Sequence, residues 1–205
     1  MPASHTITTP DQLQQLFGPV GEASLRKETS TIPPAYRRWI EASPFAVLAT
    51  CGAQGLDASP RGDPAGFVVV EDETTLLLPE RRGNNRIDSL RNILTDPRVA
   101  MLFFIPGVGE TLRVNGRASI STDPESLDRL AMDGKRPQCV LRISVDTVFF
   151  QCARAIQRSR LWSDAVERPA GVPTAGEMLQ ALTAGDIDGQ RYDKELPARQ
   201  RTSLY

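Results

Sequence analysis

The segment from Leu78 to Val99, LPERRGNNRIDSLRNILTDPRV, carries residue types at a spacing suited to chemistry, and that chemistry is the holding of an anion. Arg82, Asn84 and Arg86 crowd the start of a short predicted helix. Its apolar face is Ile87, Leu90, Ile93 and Leu94, and Asn84 or Asn85 is the expected N-cap. The first N–H groups of a helix lack partners and carry the positive end of its dipole. A phosphate placed there gains charge-assisted hydrogen bonds from backbone and guanidinium groups. A solvated basic turn is built from the same residue types and is the plainer alternative.

Composition removes other chemistries. The chain has one histidine, His5, in what reads as a flexible tail. A Ser/His/Asp or Cys/His relay therefore has no base, and a His-based zinc site has no ligands. An enzyme with this composition draws its chemistry from a bound cofactor, which the protein orients and tunes. Cys51, Cys139 and Cys152 are odd in number and form no CxxC pair, so they read as reduced, buried, structural thiols without metal. With 24 Lys and Arg against 25 Asp and Glu, the net charge of -1 gives no global field for nucleic acid or an anionic membrane. No apolar run approaches the roughly 20 residues that span a bilayer, and MPASHTITTPDQ lacks a charged segment followed by an apolar one. The expectation is a soluble, cytoplasmic protein.

The anion seat must be positioned by the rest of the chain, which at 205 residues and 40% hydrophobic content fits one domain. Residues 1–43 read as a helical extension, 44–165 as the core and 166–205 as a C-terminal extension. In the first part, Thr9 caps and Pro10 opens a turn with Leu13, Leu16 and Phe17, closed by Gly18. A second helix is predicted over Ala35 to Ala42, and both belong to a layer packed outside the core. Strand periodicity starts at Phe45. Phe45–Thr50 and Leu56–Pro60 flank a turn, and so do Gly66–Glu71 and Thr74–Leu78. After the basic segment, Val99–Ile105 is continuously apolar. Thr111–Ser121 then alternates Leu112, Val114, Ala118 and Ile120 with polar residues, so one face of that strand is polar. Asp123 and Pro124 open a brief helix with Leu127, Leu130 and Ala131 inward, and a long strand runs from Val140 to about Cys152. Near the end, Thr174 and Glu177 make a capping box, while DGQRYDKELPARQRTSLY either wraps a neighbour or is loose. Five or six strands joined mostly by short turns describe an antiparallel barrel better than a parallel sheet, and no GxGxxG follows a strand.

The order of SPFAVLAT, LDASPRGD, GFVVV, the segment 76–107 and ETLRVNGRASI resembles the FMN-binding split-barrel proteins of the pyridoxamine 5'-phosphate oxidase-like family over about residues 44–162. That resemblance implies a mainly β protein, a six-stranded antiparallel Greek-key barrel with peripheral helices. It also implies a homodimer with one FMN per subunit at the interface. By the same resemblance, Arg86 grips the FMN phosphate with Asn84, Asn85 and Ser89 as nearby donors. Thr111 and Arg113 contact the phosphate or flavin edge, and Ser59 and Arg61 lie along the flavin and ribityl chain. Arg158 is a further candidate, and Phe150 and Trp162 are candidates to cover a flavin face. Simpler roles are a pairing of Arg61 with Asp63 across a turn, a cross-strand ladder for Arg113 and an ordinary helix-surface place for Ser89. The chain departs from true pyridoxamine phosphate oxidases in its C-terminal stretch, which has no His, and in Gln151 where relatives carry His; vitamin B6 oxidation is not expected. The expected function is an FMN-dependent oxidoreductase acting on a small molecule, with no catalytic side chain assigned. The alternatives are a flavin-binding module without turnover and a deazaflavin-dependent reductase on the same barrel.

Overall fold

The computed structural model describes residues 5–163 and 171–202. The expected boundary at Ala165 and the last three residues lie outside them.

Seven strands form one antiparallel sheet: β1 Phe45–Gly52, β2 Gly55–Gly62, β3 Val69–Asp72, β4 Thr75–Glu80, β5 Arg98–Phe104, β6 Thr111–Ser121 and β7 Cys139–Gln151. Their order is β2-β1-β5-β6-β7-β4-β3. The mainly β, antiparallel reading holds, with two differences among the described residues: the strands number seven rather than six, and the terminal strands β2 and β3 share no ladder. The expected run at Gly66–Glu71 shortens to β3, which pairs with β4 through a register shift between Val70 and Asp72.

The core follows from period-2 alternation. Ala46 and Leu48 of β1, Met101 and Phe103 of β5, Leu112 and Val114 of β6, and Ile143 of β7 point into one cluster, while Arg113, Asn115 and Arg117 face away from it. The continuous run in β4 has a different cause. Leu76 and Leu78 join the main cluster, whereas Leu77 packs on the other face with Val140 and with Leu130, which lies between β6 and β7. A strand covered on both faces needs no alternation.

Helices α1 Pro10–Phe17, α2 Glu22–Arg26 and α3 Pro34–Ala42 precede the sheet. Only α3 behaves as the expected outer layer, burying Ile40; α1 and α2 bury nothing. Helix α4 Asp88–Thr95 lies between β4 and β5, α5 Pro124–Arg129 between β6 and β7, and α6 Arg154–Ser159 follows β7. The C-terminal stretch folds into α7 Ala175–Leu182, with the expected capping box at Thr174, and α8 Gly189–Thr202. Asp193 of α8 accepts from the Gly176 N–H at 2.8 Å, so the two helices are tied to each other as a hairpin. The cysteines diverge from the expectation of uniform burial. Cys139 is buried, Cys51 partly so and Cys152 exposed, because β7 ends at Gln151 and leaves Cys152 at the surface. Among the described residues, no helix is long and apolar enough to cross a membrane.

Candidate functional site

Helix α4 begins later than its sequence pattern suggests. Neither Asn84 nor Asn85 caps it: the residue before Asp88 is Ile87, in the left-handed region at φ 50°, with no side-chain cap. The Asn84 carboxamide oxygen instead accepts from the Arg86 N–H at 3.0 Å, closing a local turn that keeps the chain out of the helix. Arg86 therefore precedes the helix rather than standing in its first turn. The predicted apolar face also shrinks. Ile93 is buried and Leu90 packs on the core, but Ile87 is half exposed and Leu94 is exposed; Ser89, 5% exposed, is buried in their stead. The helix is drawn tightly onto β1, where Asn92 Nδ2 donates to Thr50 Oγ1 at 3.0 Å. A Cβ on Gly52 would fall 2.0 Å from Asn92 Oδ1, so a larger residue there displaces the Asn92 carboxamide from Thr50.

The loop between β4 and α4 walls a groove of about 1,040 Å³. Six of the nine sequence-predicted binding residues line it: Ser59, Arg61, Asn84, Asn85, Arg86 and Ser89. Thr111, Arg113 and Arg158 do not. Thr111 is buried and donates to Gln151 Oε1 at 3.4 Å. The Arg113 guanidinium stacks 5.3 Å from the ring centroid of Phe149, its cross-strand partner on β7, which is the ladder considered for it. Arg158 is exposed on α6. Phe150 and Trp162 also lie outside the groove lining, and the Trp162 indole N–H donates to the Val108 carbonyl at 2.7 Å.

Inside the groove a polar chain links β2 to α4. Arg61 Nη1 donates to Ser59 Oγ at 2.8 Å, Ser59 and Ser89 share a hydrogen bond at 3.0 Å, and Ser89 Oγ donates to Asp57 Oδ2 at 3.3 Å. With one proton per hydroxyl, the chain runs in one direction from guanidinium to carboxylate. Arg61 does not pair with Asp63. Its Nε donates to Glu80 at 2.9 Å, and Asp63 pairs with Arg81 at 2.8 Å. These partners are 19 and 18 residues apart and meet only through the folded sheet.

The lining carries four arginines, Arg61, Arg81, Arg82 and Arg86, against Asp57, Glu80 and Asp88. Arg86 Nε donates to Asp88 at 2.6 Å, and that hydrogen bond, aided by the carboxylate charge, raises the guanidinium above its ordinary value. Among the described residues Arg82 has no hydrogen-bond or ion-pair partner. Sequence reasoning placed Arg82 beside the seat without assigning it a role, and it missed Asp57 and Glu80 altogether. Asn85 and Ile87 both have positive φ, at 59° and 50°. A β-branched residue rarely takes this conformation, which costs about 1–2 kcal/mol. Such strain clusters at ligand-binding loops. Among the described residues no group of three His, Cys, Asp or Glu is placed to hold a metal ion.

The family profile for pyridoxamine 5'-phosphate oxidase matches residues 32–152, more than half of the chain, and the chain belongs to that family. Solved structures that align with the chain include HupZ from Group A Streptococcus, at 19% identity over 59% of this chain and 94% of that one, with a TM-score of 0.49. Another is a putative pyridoxamine 5'-phosphate oxidase from Lactobacillus delbrueckii, at 20% identity over 59% and 95%, with a TM-score of 0.45. General stress protein 26 from Bacillus anthracis aligns at 21% identity over 55% and 88%, with a TM-score of 0.39. No curated protein matches the chain.

Proposed function

We propose that the chain is an FMN-dependent oxidoreductase acting on a small organic molecule, and that the groove beside the 81–87 loop seats the FMN phosphate. The observation that carries this reading is the loop itself: a strained, Asn-rich turn that brings the unpaired Arg82 and the exposed Arg86 to a groove also lined by the Arg61–Ser59–Ser89 chain. The residues fit the group. Its phosphate is a dianion that needs guanidinium and N–H donors, and these stand together here. The groove's volume lies at the upper end of the roughly 300–1,000 Å³ range usual for ligand pockets.

When bound, FMN supplies hydride exchange at its N5. The protein's part is to bind and orient. Arg82 and Arg86 offer charge to the phosphate, with the carboxamides of Asn84 and Asn85 as neighbouring donors. Ser59 and Ser89 present hydroxyls along the groove, and Glu80 fixes the guanidinium plane of Arg61. No groove side chain is assigned as acid or base, consistent with the absence of histidine from the lining. Arg113, outside the groove of its own chain, serves this reading through a homodimer in which a second copy completes the site, while Thr111 is buried within its own chain and supports the strand that carries Arg113.

The test is to purify the protein, identify any released chromophore by chromatography, and reduce the loaded protein anaerobically with NADH or NADPH before adding oxygen or quinones. Bound FMN that is reduced and reoxidised over many cycles is the expected result. A colourless protein that also fails to bind added FMN refutes the reading, and binding without turnover reduces it to a flavin-binding module.

A further inference from the structure

We infer that the N-terminal arm, residues 5–27, is a clasp that docks on a second copy of this chain; this deepens the dimer reading above and rests on it. The arm is specified in detail. Thr9 and Gln12 form a capping box, Pro10 opens α1, and Gly18 closes it at φ 72°. Yet α1 and α2 bury no residue of their own. Leu13, Leu16, Phe17, Val20 and Leu25 are all exposed, Phe17 at 77%. A lone helix of eight residues is not stable in water, and its apolar stripe draws its stability from a surface it covers.

The arm's root is fixed where α2 ends. The Tyr36 hydroxyl donates to the Lys27 carbonyl at 2.8 Å, Thr29 bridges Val148 of β7, and Lys27 Nζ lies 4.8 Å from the Phe150 ring centroid. The ring of Phe150, 38% exposed, adds an apolar group at the arm's root. The occupant that fits is another copy, for two reasons. A chain of net charge -1 meets itself without strong repulsion. In a two-fold arrangement each arm docks once on its partner, so both count. At roughly 60–120 Å² per fully exposed side chain, scaled by exposures of 47–77%, two sets of five with the surfaces that receive them bury on the order of 1,100 Å². That clears the roughly 1,000 Å² expected of a specific interface. One arm held by an unrelated partner buries half as much.

The experiment is sedimentation equilibrium of the full chain and of L16D/F17D, together with the rate of tryptic cleavage at the exposed Arg26 across protein concentrations. Both substituted residues are exposed, so far-UV spectrum and Tm at low concentration should match wild type. The clasp predicts a wild-type dimer whose dissociation constant rises at least tenfold in the variant, and cleavage that slows as wild type, but not the variant, dimerises. A dimer of unchanged affinity in the variant overturns the clasp and leaves the dimer reading standing. A wild type that stays monomeric at all concentrations overturns both.

Discussion

Arg61 is tied to Glu80 and aimed into the groove at once, and a double-mutant cycle separates the two roles. The pair closes at 2.9 Å with side-chain exposures of 18% and 15%. Breaking a fully buried pair costs about 3–5 kcal/mol, and the water reaching this one lowers the expectation for Arg61→Ala to about 2 kcal/mol. The substitution also leaves three arginines against three carboxylates in the lining. Losing a charged hydrogen bond to a bound phosphate or ribityl group weakens FMN by about 1.5–3 kcal/mol, roughly 10- to 150-fold. Glu80→Ala alone leaves Arg61 its bonds to Ser59 and the Pro60 carbonyl and removes a negative charge, so FMN binds roughly two- to fivefold tighter. In the double variant, urea denaturation should return stability to within about 1 kcal/mol of wild type, because no unpaired charge remains. FMN affinity, read by quenching of flavin fluorescence, should stay at least tenfold weaker than wild type. A double variant that binds FMN as tightly as wild type refutes the reasoning, since Arg61 would then serve only to neutralise Glu80.

Two further outcomes follow from local geometry. A Cβ on Gly116, at the register shift between β6 and β7, falls 2.2 Å from the Ser144 carbonyl oxygen, so Gly116→Ala should cost about 1–3 kcal/mol in chemical denaturation; an unchanged midpoint would show that the ladder yields freely. Arg98 holds the Asp96 carboxyl by hydrogen bonds, with the backbone N–H adding to them, and lowers it from 3.8 to about 2. A depressed folded value stabilises fully above the unfolded one and is lost as pH falls through the folded one. The Tm gap between wild type and Asp96→Asn should therefore be constant above about pH 4 and close toward pH 2; a gap that persists at pH 2 contradicts this.

The β elements were legible where one face is buried and the other wet. The bounds of Thr111–Ser121 match β6, and its alternation holds from Leu112 to Ser119, because period 2 and a one-sided core leave one solution there. The start of α4 was not legible. Apolar spacing included Ile87, but the Asn84 turn and a left-handed Ile87 delay the helix, and a local pattern carries no sign of such strain. The same limit explains the site. The basic loop and SPRGD were visible as residue types, whereas the pairing of Arg61 with Glu80 and the Asp57–Ser89 bond depend on strand order. The exposed arm was legible as helices and illegible in its packing, since amphipathicity shows that a face is to be covered without saying which surface covers it.

The central claim is that the 81–87 loop holds a phosphate, and the most direct measurement compares FMN with riboflavin, which lacks only that group, binding to cofactor-free protein at low salt. The phosphate seat predicts that FMN binds at least tenfold more tightly, and that Arg82→Gln narrows the difference by weakening FMN while leaving riboflavin unchanged. Equal affinity for the two flavins in the wild-type protein would contradict it.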